Sequence, residues 1–210
     1  KKESKLGKLT ITKNDKKKEP KKEPATFSYQ EGVVVPIAIA DFHSDNSLLK
    51  LSKEIPLVIN DNLERSGIFN PIDKKNFIQS SSSLNNRPRF EDWKMIKAKF
   101  LVSVKVTEES NKISAKFRLF NVDEQKQILG KKYSTSKKNW RRISHIASDA
   151  IYEAITKDEG MFDTRIVYVA ESGSIENRQK RLAIMDQDQA NHRFLTDGSY
   201  LVLTPRFSPN

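Results

Sequence analysis

The chain has 210 residues, of which 36% are hydrophobic and 31% are charged, with a formal net charge of +11 and no cysteine. The lack of cysteine excludes disulfides, thiolate metal ligands and a cysteine nucleophile. The most apolar run, residues 33–40, is far shorter than the roughly 18–20 residues that a membrane-spanning helix needs.

The chain begins with a lysine-rich arm. Its first 24 residues contain ten Lys and four acidic residues, and Leu6, Leu9 and Ile11 are their only large apolar side chains. Such a segment cannot bury enough apolar surface to offset the entropy lost on ordering, so we expect residues 1–25 to be disordered. A basic tail for nucleic acid or anionic lipid and a solvated linker both fit this composition.

The first ordered elements are predicted from about Thr26 onward. Residues 33–40 have the length and β-branched content of a buried strand. A helix that stops at Gly67 is predicted next, from apolar residues spaced by three and four: Leu48, Leu51, Ile55, Val58, Ile59 and Leu63. Pro56 lies inside this pattern, and an interior proline costs about 3 kcal/mol. We therefore expect a break or kink between Ser52 and Pro56.

The middle of the chain predicts the remaining elements of an α/β domain. Phe90, Trp93 and Ile96 indicate a short helix after a polar loop. Alternating apolar residues then predict strands at residues 98–106, 113–121 and 128–134, and a strong amphipathic helix follows at about residues 138–157. This order predicts an α/β (α+β) domain over residues 26–162, with a mixed sheet covered by two helices.

The last 48 residues change character. Four short strands are predicted at residues 165–169, 181–185, 193–195 and 200–203, with a turn at Asp197-Gly198. Four antiparallel strands in about 45 residues is the size of one propeller blade. Because blades need neighbours to bury a core, we expect residues 163–210 to be the first, four-stranded blade of a truncated β-propeller in a fragment of a longer chain.

Several motifs together resemble the TolB family of the Tol-Pal system. Residues 31–42 (EGVVVPIAIADF) resemble its first long strand, and residues 63–69 (LERSGIF) resemble the end of its first helix. The most specific stretches are residues 141–152 (RRISHIASDAIY) and 160–169 (GMFDTRIVYV), which resemble the junction between the last helix and the first propeller strand. Residues 207–210 (FSPN) resemble the start of a blade motif.

The resemblance implies a periplasmic protein-interaction scaffold that is not an enzyme and has no cofactor. It implies two partners: the carboxy-terminal domain of TolA, and the lipoprotein Pal on the propeller face. It also implies roles in outer membrane integrity, in invagination of that membrane during cell division, and in bacteriocin import. We expect a monomer. The residues expected to pair with TolA as an extended strand are Thr26, Phe27, Ser28, Tyr29, Gln30, Glu31 and Gly32.

The three histidines offer little for catalysis. His43 lies between Asp41 and Asp45 in a predicted loop, where alternating polar residues more often form a capped turn than a metal or triad site. His145 and Asp149 are spaced to pair on a helix surface, which favours a structural role.

The alternative function is a basic nucleic-acid-binding domain. Its candidate residues are the arm together with Lys131, Lys132, Lys137, Lys138, Arg141 and Arg142, interleaved with Tyr133 and Trp140. Basic residues with interleaved aromatics are what a base-stacking surface needs. Trp140, like Trp93, can equally be a core anchor, and that is the role we expect for both.

Overall fold

The structure is a computed structural model that describes residues 10–11, 34–41, 48–79, 88–109 and 111–208. It divides into two compact units, Lys1–Gly160 and Met161–Asn210.

The first unit is built on a mixed sheet. Its strands are β1 (Thr10–Ile11), β2 (Val35–Asp41), β3 (Phe69–Pro71), β4 (Phe100–Glu109), β5 (Lys112–Asn121) and β6 (Lys126–Ser136). Within the described residues the spatial order is β1-β6-β5-β4-β2-β3. β2 runs parallel to both β3 and β4, whereas β4, β5 and β6 form an antiparallel meander. The predicted mixed sheet is confirmed.

Two long helices cover one face of this sheet, as predicted. They are α1 (Leu49–Arg65) and α3 (Trp140–Thr156), and a short helix, α2 (Phe90–Met95), lies between them in sequence. The face toward α1 and α3 is formed by alternate residues of the strands, including Ile37, Val102, Val104, Phe117 and Leu119, and all of these are buried.

The short helix α2 packs on the opposite face, at one end of the sheet. Phe90 and Trp93 lie in a buried cluster with Ala38, Leu101 and Phe120. The Trp93 side chain is 1% exposed, so its predicted role as a core anchor is confirmed. α2 reaches only this end of the face, because it is six residues long.

The helix α1 continues through Pro56, so a break does not occur, whereas a kink at this position stays a prediction. Pro56 is buried, and so are Ile55, Val58 and Ile59 around it. Burial of such side chains contributes roughly 1.5–3 kcal/mol each, which together exceeds the cost of about 3 kcal/mol for the proline. Tertiary packing therefore outweighs the local signal.

One part of the lysine-rich arm is also ordered, contrary to expectation. Thr10 and Ile11 pair antiparallel with Ser134 and Tyr133 on the outer edge of β6. An edge strand offers unpaired backbone groups, and Thr and Ile are β-branched residues that suit a strand. The rest of the arm lies outside the described residues.

The second unit contains a small antiparallel sheet. Its strands are β7 (Arg165–Ser172), β8 (Gln179–Asp186) and β9 (Arg193–Phe194), in that spatial order. The predicted fourth strand, at residues 200–203, is wrong: this segment has no regular structure. Tyr200 and Leu201 are 79% and 75% exposed, so the burial that would stabilise a strand here is missing.

Candidate interaction surfaces

The predicted partner-binding residues, 26–32, lie outside the described residues. The structure does define where that segment joins the domain. The backbone N–H of Val35 donates a hydrogen bond of 2.8 Å to the carbonyl oxygen of Ile68. From there β2 pairs first with β3, up to Ile37, and then with β4, from Ile37 to Asp41. The segment is therefore connected, through residues 33 and 34, to a strand that has β3 on one side and β4 on the other.

The histidines do not assemble into a described catalytic site. His43 lies outside the described residues. His145 is 2% exposed, so the expectation that it lies on the helix surface is wrong. His192, in the second unit, packs against Phe194 with ring centroids 5.0 Å apart.

His145 takes part in a buried polar network between α1 and α3. The side-chain amide of Asn62, which is fully buried, lies 3.0 Å from His145 Nδ1 and also donates to Ser148 Oγ at 3.0 Å. Arg65 donates to Asn62 Oδ1 at 2.6 Å. Because the Arg65 guanidinium can only donate, the oxygen of Asn62 must face it and the nitrogen must face His145 and Ser148. His145 Nδ1 is therefore the acceptor.

The hydrogen bonds of this network hold the two helices together and do not activate Ser148 as a nucleophile. The hydroxyl of Ser148 donates to the carbonyl oxygen of Ser144, one turn earlier in α3, at 2.9 Å. That proton is therefore directed at the helix backbone and not at the imidazole. Buried polar groups that satisfy one another in this way fix how two helices pack, because a shifted register would leave them unpaired.

The basic residues of the nucleic-acid alternative are divided among different surfaces. Lys131 and Lys132 are neighbours in β6, so their side chains leave opposite faces of the sheet. Lys137 forms an ion pair of 2.7 Å with Glu108. Tyr133, the expected stacking residue, is 4% exposed and packs against Phe117 with ring centroids 5.8 Å apart.

The burial of Tyr133 also affects the pKa of its hydroxyl. Burial raises the pKa of its hydroxyl, and the negative charges of Asp149 and Glu153 on α3 raise it further. Trp140 is half-buried, with the Arg141 guanidinium 5.6 Å from its ring centroid, so the structure places it between a core anchor and a surface residue. No continuous stacking surface is formed by these described residues.

A different basic group was missed from the sequence. The register of β4, β5 and β6 aligns Lys105 with Lys116, and Lys116 with Lys132. These three exposed lysines, here called the basic row, are far apart in the chain and only strand pairing brings them together. Alternation within each strand was the available signal, but the register between strands could not be read from it.

The second unit presents aromatic and basic side chains on its small sheet. The Arg181 guanidinium lies 3.7 Å from the Phe194 ring centroid, a close cation–π contact. Glu171 accepts hydrogen bonds from Lys180 and Arg178, and the Lys180 hydrogen bond in particular lowers the pKa of its carboxyl. The predicted turn at Asp197 is present, with Ser199 donating to its carboxylate through both the backbone N–H and the hydroxyl.

None of the helices in the described part of the chain is long and apolar enough to cross a membrane.

The chain matches two family models. Residues 31–128 match the TolB amino-terminal domain, and residues 152–210 match the TolB beta propeller domain. The Tol-Pal system protein TolB of Paramagnetospirillum magneticum is 51% identical over 181 residues, which cover 84% of this chain and 40% of that protein.

A solved structure agrees with the fold. The crystal structure of TolB from Acinetobacter baumannii superposes with a TM-score of 0.66 at 23% identity, over 91% of this chain and 41% of that one. A PelC dodecamer structure from Paraburkholderia phytofirmans gives a TM-score of only 0.40 at 10% identity, covering 73% of this chain and all of that one.

These observations define a protein with an α/β amino-terminal domain followed by strands of the β-propeller type. The chain belongs to the TolB family. It spans about two fifths of the length of the relatives that it matches, 40% for the curated protein and 41% for the crystal structure.

Proposed function

We propose that this chain acts as a non-catalytic protein-interaction scaffold of a Tol-Pal system in the periplasm. The observation that carries the proposal is the 51% identity to a Tol-Pal system protein TolB, combined with the matching fold of both units. The buried network of Asn62, His145 and Ser148 supports the non-catalytic part, because its hydrogen bonds are used to hold two helices together.

In this proposal, residues 26–32 bind the carboxy-terminal domain of TolA as an added strand. Main-chain hydrogen bonds to an exposed sheet edge would supply the affinity. The anchoring of Val35 to Ile68 supports it, because a pull on the segment is transmitted directly to a strand with hydrogen-bonded neighbours on both sides.

The second unit would contribute to a propeller that docks the lipoprotein Pal. Several apolar side chains of this unit are exposed, which suits a blade that packs against further blades: Ile166, Phe194, Leu195, Tyr200, Leu201 and Leu203. Through the two partners, the whole protein would support outer membrane integrity, invagination of the outer membrane during division, and bacteriocin import. The domain scheme of residues 1–25, 26–162 and 163–210 is part of this proposal.

Two deletions test the TolA contact. Removal of residues 1–32 should abolish binding to the TolA carboxy-terminal domain in calorimetry, with an unchanged circular dichroism spectrum. Removal of residues 1–25 is the matched control, since it deletes the whole lysine-rich arm and keeps the proposed strand. Unchanged affinity after removal of residues 1–32 would refute the proposal.

A point substitution separates strand pairing from simple loss of chain length. Ser28→Pro removes one backbone N–H and fixes φ, so it should weaken binding strongly if the Ser28 N–H faces the partner's edge. Tyr29→Pro should do so if the opposite set of N–H groups faces the partner, because the N–H groups of adjacent strand residues point to opposite edges. Full affinity in both variants would exclude an added strand through this segment.

A further inference from the structure

The face of the sheet opposite α1 and α3 carries basic side chains in the part that α2 does not cover. The basic row lies across it, with Lys105, Lys116 and Lys132 on three adjacent strands. Neighbouring strands lie about 4.8 Å apart, so the backbone positions that carry the three lysines fall within about 10 Å of one another. Arg118 is two residues along β5 on the same face, with its guanidinium over the Phe120 ring at 5.5 Å.

This row carries a cost for folding. Like charges directly opposite each other on neighbouring strands are destabilising, and the row contains two such pairs. Among the described residues neither Lys105 nor Lys116 forms an ion pair with a carboxylate.

Protection of a sheet edge does not explain the row. Lysines on edge strands prevent unwanted pairing with other chains, and Lys132 on β6 fits that role. Lys116, however, lies on β5 with a register partner on each side, Lys105 on β4 and Lys132 on β6. Lys105 follows Val104, the last residue of β4 that pairs with β2, so Lys116 is the interior member of the row and edge protection does not account for it.

The neighbouring residues indicate what kind of partner this face suits. Short side chains surround the row: Thr107, Ser114 and Ser134 share its face, and Gly130 is opposite Arg118. Ser114 is only 1% exposed, so the longer side chains around it cover this part of the face. A flat, extended partner can approach such a face, whereas a small ligand would find no enclosing walls.

Two kinds of macromolecular partner fit this face poorly. A specific protein partner usually requires a buried apolar or aromatic hot spot. Among the described residues that β4 and β5 contribute to this face, from Leu101 to Thr107 and from Ser114 to Phe120, none is a large, exposed apolar residue. Single-stranded nucleic acid is normally held by stacking on aromatic side chains. Tyr133, the aromatic residue of β6, is buried on the other face.

We propose that the basic row and Arg118 form a docking surface for the anionic headgroups of a phospholipid bilayer. Lysines are flexible point charges that follow phosphates in any arrangement, which suits a headgroup layer. Each basic residue near an anionic membrane surface contributes appreciably to binding, and salt screens the attraction within about 10 Å. The surface is therefore peripheral, reversible and sensitive to ionic strength.

The test is vesicle co-sedimentation of the full chain. Vesicles of phosphatidylcholine alone are compared with vesicles that also contain phosphatidylglycerol, at low and at physiological salt. The triple variant Lys105→Gln, Lys116→Gln, Lys132→Gln should lose about tenfold or more in partitioning onto the anionic vesicles, because three charges leave the surface together.

A control variant with the same change in charge keeps the comparison specific. It replaces three exposed lysines away from this face, Lys53 on α1 and Lys126 and Lys131 on β6, each by Gln. Lys131 is the closest match, since it is adjacent to Lys132 and points to the other side of the sheet. Both triple variants retain the lysine-rich arm, so its contribution cancels.

A measurement at single residues shows whether the basic row itself contacts the vesicles, even if the lysine-rich arm contributes most of the binding. Acetylation of lysines, read by mass spectrometry, should be slowed at Lys105, Lys116 and Lys132 when anionic vesicles are present, and not at Lys53 or Lys131. Equal loss of partitioning in both triple variants, or no protection of the basic row, would overturn the proposal. The proposal would also be overturned if the basic-row variant bound a single-stranded oligonucleotide more weakly but bound the anionic vesicles as before. That result would assign the face to nucleic acid.

Discussion

Asn62 on α1 donates a hydrogen bond of 3.0 Å to Nδ1 of His145 on α3, with both side chains at most 2% exposed. The same amide serves Ser148, and its oxygen serves Arg65. One side chain therefore joins the two long helices that cover the sheet.

The Asn62 side chain is expected to be essential for stability. Asn62→Ala leaves buried polar groups of His145 and Ser148 without this partner, which should lower the free energy of unfolding by about 2–3 kcal/mol. Urea denaturation measures the change. Asp61→Ala, the exposed neighbour on α1, is the control and should stay within about 0.5 kcal/mol. A similarly small effect at Asn62 would show that the network contributes little.

Gln79 is expected to hold α2 in place. Its Oε1 accepts hydrogen bonds of 2.9 Å from both the Trp93 indole and the Arg89 backbone N–H, and its side chain is buried. Gln79→Met keeps the size but removes the acceptor, so we expect a loss of about 2–3 kcal/mol.

Tryptophan fluorescence in a Trp140→Phe background reports the Gln79 effect at Trp93 directly. If α2 loosens, the emission maximum of the folded protein should shift to the red. The fluorescence-detected unfolding transition should also move to a lower denaturant concentration. Ile78→Ser, at a residue that is 49% exposed, serves as the control and should leave both unchanged. An unshifted spectrum in Gln79→Met would mean that apolar packing alone positions Trp93.

Gly160 is expected to tolerate no side chain. A Cβ atom at this position would lie 2.5 Å from the Cα of Asp149, a backbone atom that cannot move aside cheaply. Gly160→Ala should therefore cost about 1–3 kcal/mol, measured by thermal or urea unfolding. In Gly130→Ala the nearest atom belongs to the flexible end of the Gln127 side chain, so that control should be much milder. Equal costs would contradict the steric explanation.

Relief of charge repulsion is expected at Lys116. It lies between Lys105 and Lys132 in the register, so Lys116→Gln removes two unfavourable pairs and should raise the free energy of unfolding by about 0.2–1 kcal/mol. The gain should shrink in high salt, because salt screens exposed charges. Lys53→Gln on α1 should show no comparable gain. A loss of stability in Lys116→Gln would show that the lysine stems contribute packing that outweighs the repulsion.

Alkaline pH should destabilise the first unit through Tyr133. Its pKa is raised in the folded state by burial and then by Asp149 and Glu153, so the folded protein holds this proton more tightly than the unfolded chain does. The resulting stability is fully present below the unfolded tyrosine pKa of about 10, and it is lost as the pH rises through the higher folded value. Urea unfolding of Tyr133→Phe should show a shallower alkaline decline than the parent. Tyr200→Phe, at a residue 79% exposed, should leave the decline as it was.

Local signals were sufficient for most of the secondary structure. The strands β4 and β5 alternate clearly, and α3 has an apolar stripe at helical spacing, so both kinds of element were predictable from nearby residues. Local signals were misleading at Pro56, where the packing of Ile55 and Val58 outweighs the proline, and at residues 200–203, where apolar residues lack a surface to pack against.

The sequence by itself determined the family, the fold class and the order of the elements, because periodicity and the motifs at residues 31–42 and 141–169 depend only on neighbours along the chain. Only the tertiary structure decided which distant residues meet. The contact between Asn62 and His145 spans 83 positions, and the basic row is drawn from three strands. Helix packing and strand register arise from burial of whole faces, and no short stretch of sequence contains that information.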